Sequence, residues 1–175
     1  MKIIGITGDS GSGKTTFATY LSKNIKCKMI DIDKLILKSS LFNDFDVDAN
    51  APKLNDDNFK ILTDNFEDEN SLISSIINEI IEFEINKLSP DTDILVLEWM
   101  LLPFIKIWKQ CNTKVLIESN EQERRKNAIN NKLITKEKYD ECFSIVKINY
   151  NQFKYDYIIQ NNYDNESLNK ILNVI

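Results

Sequence analysis

The sequence predicts an α/β protein with an open, mostly parallel five-stranded sheet and helices on both of its faces. Short apolar runs rich in β-branched residues alternate with helical patterns along the 175 residues, which is typical of βαβ units. All four glycines lie within residues 5–16, where the first of these runs turns into a helix. No composition break marks a linker, and the length suits a single domain over residues 1–175.

Each strand candidate is a short apolar run, and four of the five end at polar or acidic residues. The candidates are 2–7, 27–33, 94–100, 113–119 and 155–162. The helix candidates carry apolar residues on one face, and two of them begin at predicted caps. They are 14–25, 34–42, 59–66, 71–88, a helix capped by Ser119 that ends near Asn131, and one capped by Thr135 that ends near Asn151. Residues 43–58 are polar and acidic, which predicts a loop.

The charge and the missing residue types exclude several classes of function. A net charge of −5 argues against nucleic acid as a partner, because binding its backbone requires a basic face. The chain has no histidine, which excludes Ser-His-Asp hydrolysis and histidine-ligated zinc. Three cysteines without paired spacing indicate a reducing compartment, and we expect a cytoplasmic protein. We expect neither a leader peptide nor a membrane span, since no apolar run approaches about 20 residues.

The glycine-rich stretch fits the pattern G-x-x-x-x-G-K-[ST] at every fixed position, between a strand and a helix. A loop that wraps a phosphate needs unusual backbone torsions and no obstructing Cβ, and the following helix adds N–H groups and a positive dipole end. The ammonium of Lys14 can reach the β- and γ-phosphates, and the hydroxyl of Thr15 can bind Mg²⁺. The expected nucleotide-binding residues are Gly8, Asp9, Ser10, Gly11, Ser12, Gly13, Lys14, Thr15 and Thr16. Gly5 lies in the preceding strand, and this pattern gives no firm reason for it.

Other sequence features narrow the class of nucleotide-binding protein. No glycine follows Gly13, so the D-x-x-G switch of GTPases is absent, and no N-K-x-D motif reads a guanine base. The chain also lacks an ABC-type signature and is short for an assembly ATPase. A compact phosphotransferase is therefore the predicted class.

Two acids at the end of the second strand are candidates for the proton transfer. Asp31 and Asp33 stand two residues apart, which predicts the same face of the strand at the edge where open α/β sheets bind ligands. The carboxylate of Asp33 can accept a proton from an acceptor hydroxyl. The alternative is that Asp33 caps the following helix.

Charge neutralisation during the transfer has few candidate residues. The chain has only two arginines, so a guanidinium clamp comes from Arg124, from Arg125 or from a partner molecule. The alternative is a solvated helix face on which these arginines pair with Glu121 and Glu123. Trp99, Trp108, Phe42 and Phe45 are candidates for an acceptor pocket, although packing is the favoured interpretation.

The chain resembles dephospho-coenzyme A kinase nearly from end to end. The resemblance includes the strand and phosphate-binding loop, "IDID", "APKLNDDNF", "ILVLEWMLLPF", "VLIESNEQERRK" and "YDYIIQNN". It implies a P-loop fold with three α/β/α layers, an acceptor-side insert at 43–92 and a lid region at 120–150. It also implies that the protein uses ATP and Mg²⁺ to phosphorylate a hydroxyl of a nucleotide-like small molecule, the ribose hydroxyl of dephospho-CoA, with Asp33 as the catalytic aspartate. An adenine-contacting loop then falls near Asn161 and Asn162.

The chain is also similar to uridine kinase, through "GDSGSGKTT" and through the acid that ends "ILVLE". That acid is Glu98, whose hard oxygen atoms suit a water molecule bound to Mg²⁺. The alternative for Glu98 is a solvated strand end. Both families carry arginines in the lid where this chain has Asn130 and Asn131. A nucleotide-binding protein with weak or lost kinase activity is therefore a further alternative.

Overall fold

The structure, a computed structural model, describes residues 1–39, 71–130 and 148–174. Within these ranges, five strands form one parallel sheet in the order β2-β3-β1-β4-β5. The strands are β1 (Lys2–Thr7), β2 (Lys28–Asp31), β3 (Ile94–Glu98), β4 (Thr113–Glu118) and β5 (Tyr157–Gln160). All five strand predictions are confirmed, with ends that differ by up to two residues. The predicted fold class, a three-layer α/β/α P-loop fold, is also confirmed.

The helices of the described residues follow the strands in alternation. They are α1 (Lys14–Asn24), α2 (Ile32–Lys38), α3 (Leu72–Asn86), α4 (Ile107–Gln110), α5 (Glu121–Asn130) and α6 (Asn165–Asn169), with 3₁₀ segments at Leu102–Phe104, Tyr150–Gln152 and Lys170–Val174. None of the helices in the described ranges is both long enough and apolar enough to cross a membrane. The predicted loop at 43–58, the predicted helix at 59–66, Thr135, Phe42 and Phe45 lie outside the described residues.

Alternating residues of the central strands supply two separate cores, one on each face of the sheet. On one face, Ile3, Leu95 and Leu97 pack with the apolar sides of α2, α3 and α4. On the other face, Ile4 and Val96 pack with α1 and the C-terminal segment. Because both faces are covered, the strands are apolar throughout their centres, and polar chemistry is confined to their ends.

Gly5 lies in β1 on the face that packs against α4. A Cβ atom there would be 2.7 Å from Cζ3 of Trp108 and 2.8 Å from Sγ of Cys111. Both of these side chains are buried, so neither has open space into which it can withdraw. Glycine is therefore required at position 5 by the packing of the indole, and not by a phosphate.

The predicted end of the second strand was wrong by two residues. β2 ends at Asp31, whose Oδ1 accepts a hydrogen bond of 3.2 Å from the backbone N–H of Lys34. This contact makes Asp31 the cap of α2, and Asp33 lies in the first turn of that helix. The two acids therefore do not share a strand face, and Asp33 is not the cap.

Two further helix boundaries differ from prediction because a neighbouring side chain takes the capping role. Asn120 replaces Ser119 at the start of α5, since its Oδ1 accepts a hydrogen bond of 2.9 Å from the N–H of Gln122. The hydroxyl of Ser119 is instead 3.1 Å from the hydroxyl of Tyr163. The chain near 151 forms a short 3₁₀ segment with Asn149 as its cap, instead of the predicted end of a helix.

Candidate active site

The phosphate-binding loop lies between β1 and α1 and depends on three glycines with positive φ. The φ angles are 144° at Gly8, 77° at Gly11 and 96° at Gly13, a region that other residues rarely adopt. A Cβ on Gly8 would also be 2.2 Å from the carbonyl oxygen of Ile117 in β4. The loop is therefore seated closely against the neighbouring strand, with a backbone path that only glycine permits.

Lys14 and Thr15 begin the helix that follows this loop. The Lys14 side chain is largely buried, and its Nζ donates a hydrogen bond of 2.9 Å to the carbonyl oxygen of Asp9. The ammonium thus lies across the loop. The hydroxyl of Thr15 donates a hydrogen bond of 3.0 Å to Oε2 of Glu98. These contacts join α1 to the end of β3 at the edge where the parallel strands terminate.

Glu98 is a buried carboxyl with 3% of its surface exposed, so the alternative of a solvated strand end is wrong. In the sheet register it lies opposite Ile6 of β1 and Asp31 of β2. The pKa of Glu98 is raised from 4.5 to about 7, mainly by burial and in part by the nearby charges of Asp33 and Asp31. The charge of Lys14 and the hydrogen bond from Thr15 oppose this rise. A cation at this point would relieve the cost of the buried charge.

Asp33 faces the same edge of the sheet from the first turn of α2. Its Oδ1 accepts a hydrogen bond of 2.7 Å from Nε1 of Trp99, the residue that follows Glu98 in the chain. The neighbouring carboxylate of Asp31 is used differently, since its Oδ2 is 2.7 Å from Nζ of Lys34. That hydrogen bond raises the pKa of Lys34. The sequence predicted Trp99 as a packing residue, and it is buried, but its contact with Asp33 was missed.

Arg124 of α5 contacts the loop directly through an ion pair between its Nη1 and Oδ2 of Asp9. Only 12% of the arginine side chain is exposed. The partner of Arg124 in this ion pair is therefore in the phosphate-binding loop, and not Glu121 or Glu123 of its own helix. Arg125 follows on the same helix and is partly buried.

A polar cavity of about 310 Å³ lies between α5 and the ends of β4 and β5. Its lining residues are Asp9, Leu116, Ile117, Glu118, Ser119, Asn120, Arg124, Tyr150 and Gln160. Because Asp9 and Arg124 both line it, a group bound there would contact the loop and the guanidinium together. Volumes of this size are at the lower end of those that hold small ligands.

The segment after β5 supports the phosphate-binding loop from behind. Nδ2 of Asn161 donates a hydrogen bond of 2.8 Å to the carbonyl oxygen of Ser12, and the hydroxyl of Tyr163 donates one of 2.8 Å to that of Gly11. Asn161 is buried, whereas Asn162 is exposed. Tyr163 has a φ of 58°, which is unusual for a residue other than glycine. The contact of Tyr163 with the loop could not be predicted from its position in the sequence.

The residues at the edge of the sheet fit a Mg²⁺ ion that is shared with a nucleotide. Thr15 and Glu98 offer hard oxygen atoms in contact with each other, which are the ligands that Mg²⁺ prefers. Among the described residues, no group of three or more acidic, cysteine or histidine side chains is arranged to hold a metal ion by itself. Phosphate oxygens and water would therefore complete the coordination.

The parallel sheet and the glycine-rich loop between β1 and α1 together define a P-loop protein. A family model described as an AAA domain matches residues 4–128, and the chain belongs to that family. A comparison with the sequences of curated proteins finds no match.

Solved structures with the same fold cover nearly the whole chain. The crystal structure of TT1252 from Thermus thermophilus matches with a TM-score of 0.68 and 20% identity over 98% of this chain and 94% of that one. Shikimate kinase from Bacteroides thetaiotaomicron matches with a TM-score of 0.58 and 13% identity over 98% and 94%. Shikimate kinase from Acinetobacter baumannii, solved with shikimate, matches with a TM-score of 0.56 and 13% identity over 99% and 90%. At these identities, the likeness concerns the fold.

Proposed function

We propose that this protein is a kinase that transfers the γ-phosphoryl group of ATP to a hydroxyl group of a nucleotide-like small molecule. The observation that carries the proposal is the meeting of a phosphate-binding loop and two carboxylates at one edge of the sheet. Thr15 contacts Glu98 there at 3.0 Å, and Asp33 lies on the neighbouring strand-to-helix junction. Transfer to a hydroxyl uses a group that accepts or orients the proton of that hydroxyl, and the carboxylate of Asp33 offers such a group.

Each residue has a distinct role in this proposal. The loop N–H groups and Lys14 hold the phosphates, and Thr15 and Glu98 hold Mg²⁺ directly or through water. The ion, when bound, neutralises negative charge on the β- and γ-phosphates. Asp33 accepts the proton of the acceptor hydroxyl or orients that hydroxyl for attack in line with the leaving group.

Arg124 and Arg125 are the proposed source of positive charge on the side of the loop opposite to Asp33. Arg124 already lies at the loop through its contact with Asp9. Exchange of that carboxylate for a phosphate oxygen would keep the guanidinium paired throughout the reaction. Asn161 acts on the nucleotide through the loop, since its side chain contacts the carbonyl of Ser12. Asn162 is exposed and remains the proposed adenine contact of this segment.

The leading acceptor is dephospho-CoA, and a nucleoside such as uridine is second. Shikimate joins the test panel because the structure of one relative of the same fold was solved with it. The assay measures ADP release from Mg²⁺·ATP with each acceptor. An acceptor that raises ADP release above the acceptor-free rate supports the kinase. ATP binding without any such rise supports the alternative, a nucleotide-binding protein that has weak or lost kinase activity.

Asp33→Asn tests the role of the proposed base, and Asp31→Asn is its matched control. Asparagine at position 33 can still accept the hydrogen bond from Trp99, but it cannot take a proton. We expect transfer to fall by about 10²–10⁴-fold with ATP affinity unchanged. Asparagine at position 31 caps a helix as well as aspartate does, so Asp31→Asn is expected to retain transfer. Equal losses in the two variants would contradict the assignment of Asp33.

A further inference from the structure

Trp99 provides a hydrogen-bond donor that points at the proposed base from the interior of the protein. Its Nε1 is 2.7 Å from Oδ1 of Asp33, a distance typical of a strong bond to a charged acceptor. The two residues are 66 positions apart in the chain, so this contact is a product of the fold and not of local sequence.

The donor is fixed in place by its surroundings. Only 1% of the surface of Trp99 is exposed, and its ring belongs to the core between the sheet and α2, α3 and α4. Its backbone N–H donates a hydrogen bond of 3.1 Å to the carbonyl oxygen of Ile6, next to the start of the phosphate-binding loop. The indole therefore holds Asp33 in a constant position relative to the strand that carries this loop.

The charges around Asp33 show why such a donor is useful. The carboxyl groups of Glu98 and Asp31 belong to the same cluster, since the charges of Asp33 and Asp31 both raise the pKa of Glu98. The positive charges of the cluster are Lys14, which lies across the loop, and Lys34, which pairs with Asp31. A neutral N–H donor stabilises the Asp33 carboxylate without adding a cation that would pair with it and hold it away from a substrate.

We propose that Trp99 is a positioning residue, whose indole N–H fixes the Asp33 carboxylate for contact with the acceptor hydroxyl. This inference rests on the proposed kinase function, in which Asp33 acts on the acceptor. It extends that function to a buried aromatic residue that does not touch the nucleotide. The predicted signature is a loss of turnover without a loss of ATP affinity.

The contact itself can be tested without any substrate. In the Trp108→Phe variant a single indole N–H signal remains in the ¹H–¹⁵N spectrum, and it belongs to Trp99. We expect this signal to lie downfield and to exchange slowly with solvent. Adding Asp33→Ala is expected to move it upfield and to accelerate its exchange, whereas adding Asp31→Asn leaves it in place. A signal that does not respond to Asp33→Ala overturns the proposal.

The effect on catalysis is tested by Trp99→Phe, with Trp108→Phe as the matched control from the same core. Phenylalanine keeps an aromatic ring but has no N–H, so we expect kcat to fall between about tenfold and hundredfold. The KM for ATP stays within about twofold, and Trp108→Phe keeps the wild-type kcat. Unchanged kcat in Trp99→Phe, or a parallel loss of ATP affinity, overturns the proposal. A wild type that transfers to no acceptor overturns the proposed function instead, and the indole signal still decides whether Trp99 holds Asp33.

Discussion

Gly5→Ala is the substitution whose effect follows most directly from the geometry. The added methyl group would stand 2.7 Å from Cζ3 of Trp108, whereas carbon atoms in contact prefer about 3.5–4.0 Å. The overlap is therefore about 1 Å, and Sγ of Cys111 at 2.8 Å blocks a second direction. Gly5 is not among the glycines with positive φ, so the substitution adds no backbone strain.

The sign of the stability change distinguishes packing from backbone effects. Without the contact, alanine in place of a strand glycine would stabilise the protein by about 0.4–1 kcal/mol. Overpacking of a filled core costs about 1–3 kcal/mol, which exceeds this gain, and we expect a net loss of about 0.5–2 kcal/mol. With a urea m-value of about 2 kcal/mol/M, the midpoint falls by about 0.25–1 M.

Equilibrium urea unfolding of four proteins provides the measurement: the wild type, Gly5→Ala, Trp108→Leu and the double variant. Leucine removes the ring atoms that the new methyl group meets, so the two changes are expected to couple by at least about 0.5 kcal/mol. A Gly5→Ala variant as stable as the wild type would refute the reasoning. Simple additivity in the double variant would show that Trp108 is not the cause.

Two further predictions concern Glu98 and Tyr163. Burial raises the pKa of Glu98 to about 7, so the folded state keeps a proton that the unfolded state releases, and stability falls as the pH rises from about 4.5 to about 7. The Glu98→Gln variant should lack this fall in stability. Urea unfolding at pH 8 without Mg²⁺ should therefore show the variant to be more stable than the wild type by about 3 kcal/mol. The same pH dependence in the variant and the wild type would contradict the raised pKa of Glu98. Tyr163→Phe loses the hydrogen bond to Gly11, so calorimetry should show ATP binding weakened about 3–10-fold, with Tyr20→Phe unchanged as the control. Equal affinity in both variants would mean that the bond does not support the loop.

The parts of the fold that depend on local pattern were predictable. A short β-branched strand, a turn that needs glycine and an amphipathic helix each leave a periodic signature, and the strands and the loop followed from it. The helix cap at Asp31 was missed because two nearby acids, Asp31 and Asp33, offer the same capping chemistry. Which of the two acids caps the helix depends on the exact path of the backbone, and a local sequence pattern does not determine that path.

The parts of the site that depend on contacts between distant segments were not predictable. The bond from Trp99 to Asp33 and the clash that requires Gly5 both arise from a strand meeting a helix in three dimensions. A tryptophan after an apolar strand indicates packing, and nothing in the sequence reveals which atom its N–H meets. The pairing of Arg124 with Asp9 likewise depends on how α5 returns across the sheet.

The support of the loop by Asn161 and Tyr163 has a consequence for the order in which the protein matures. The two contacts join residues that are 149 and 152 positions apart. A growing chain on the ribosome therefore carries the entire glycine-rich stretch long before the residues that brace it have been made. Nucleotide binding by a nascent chain should begin only after β5 and the residues that follow it have emerged and docked.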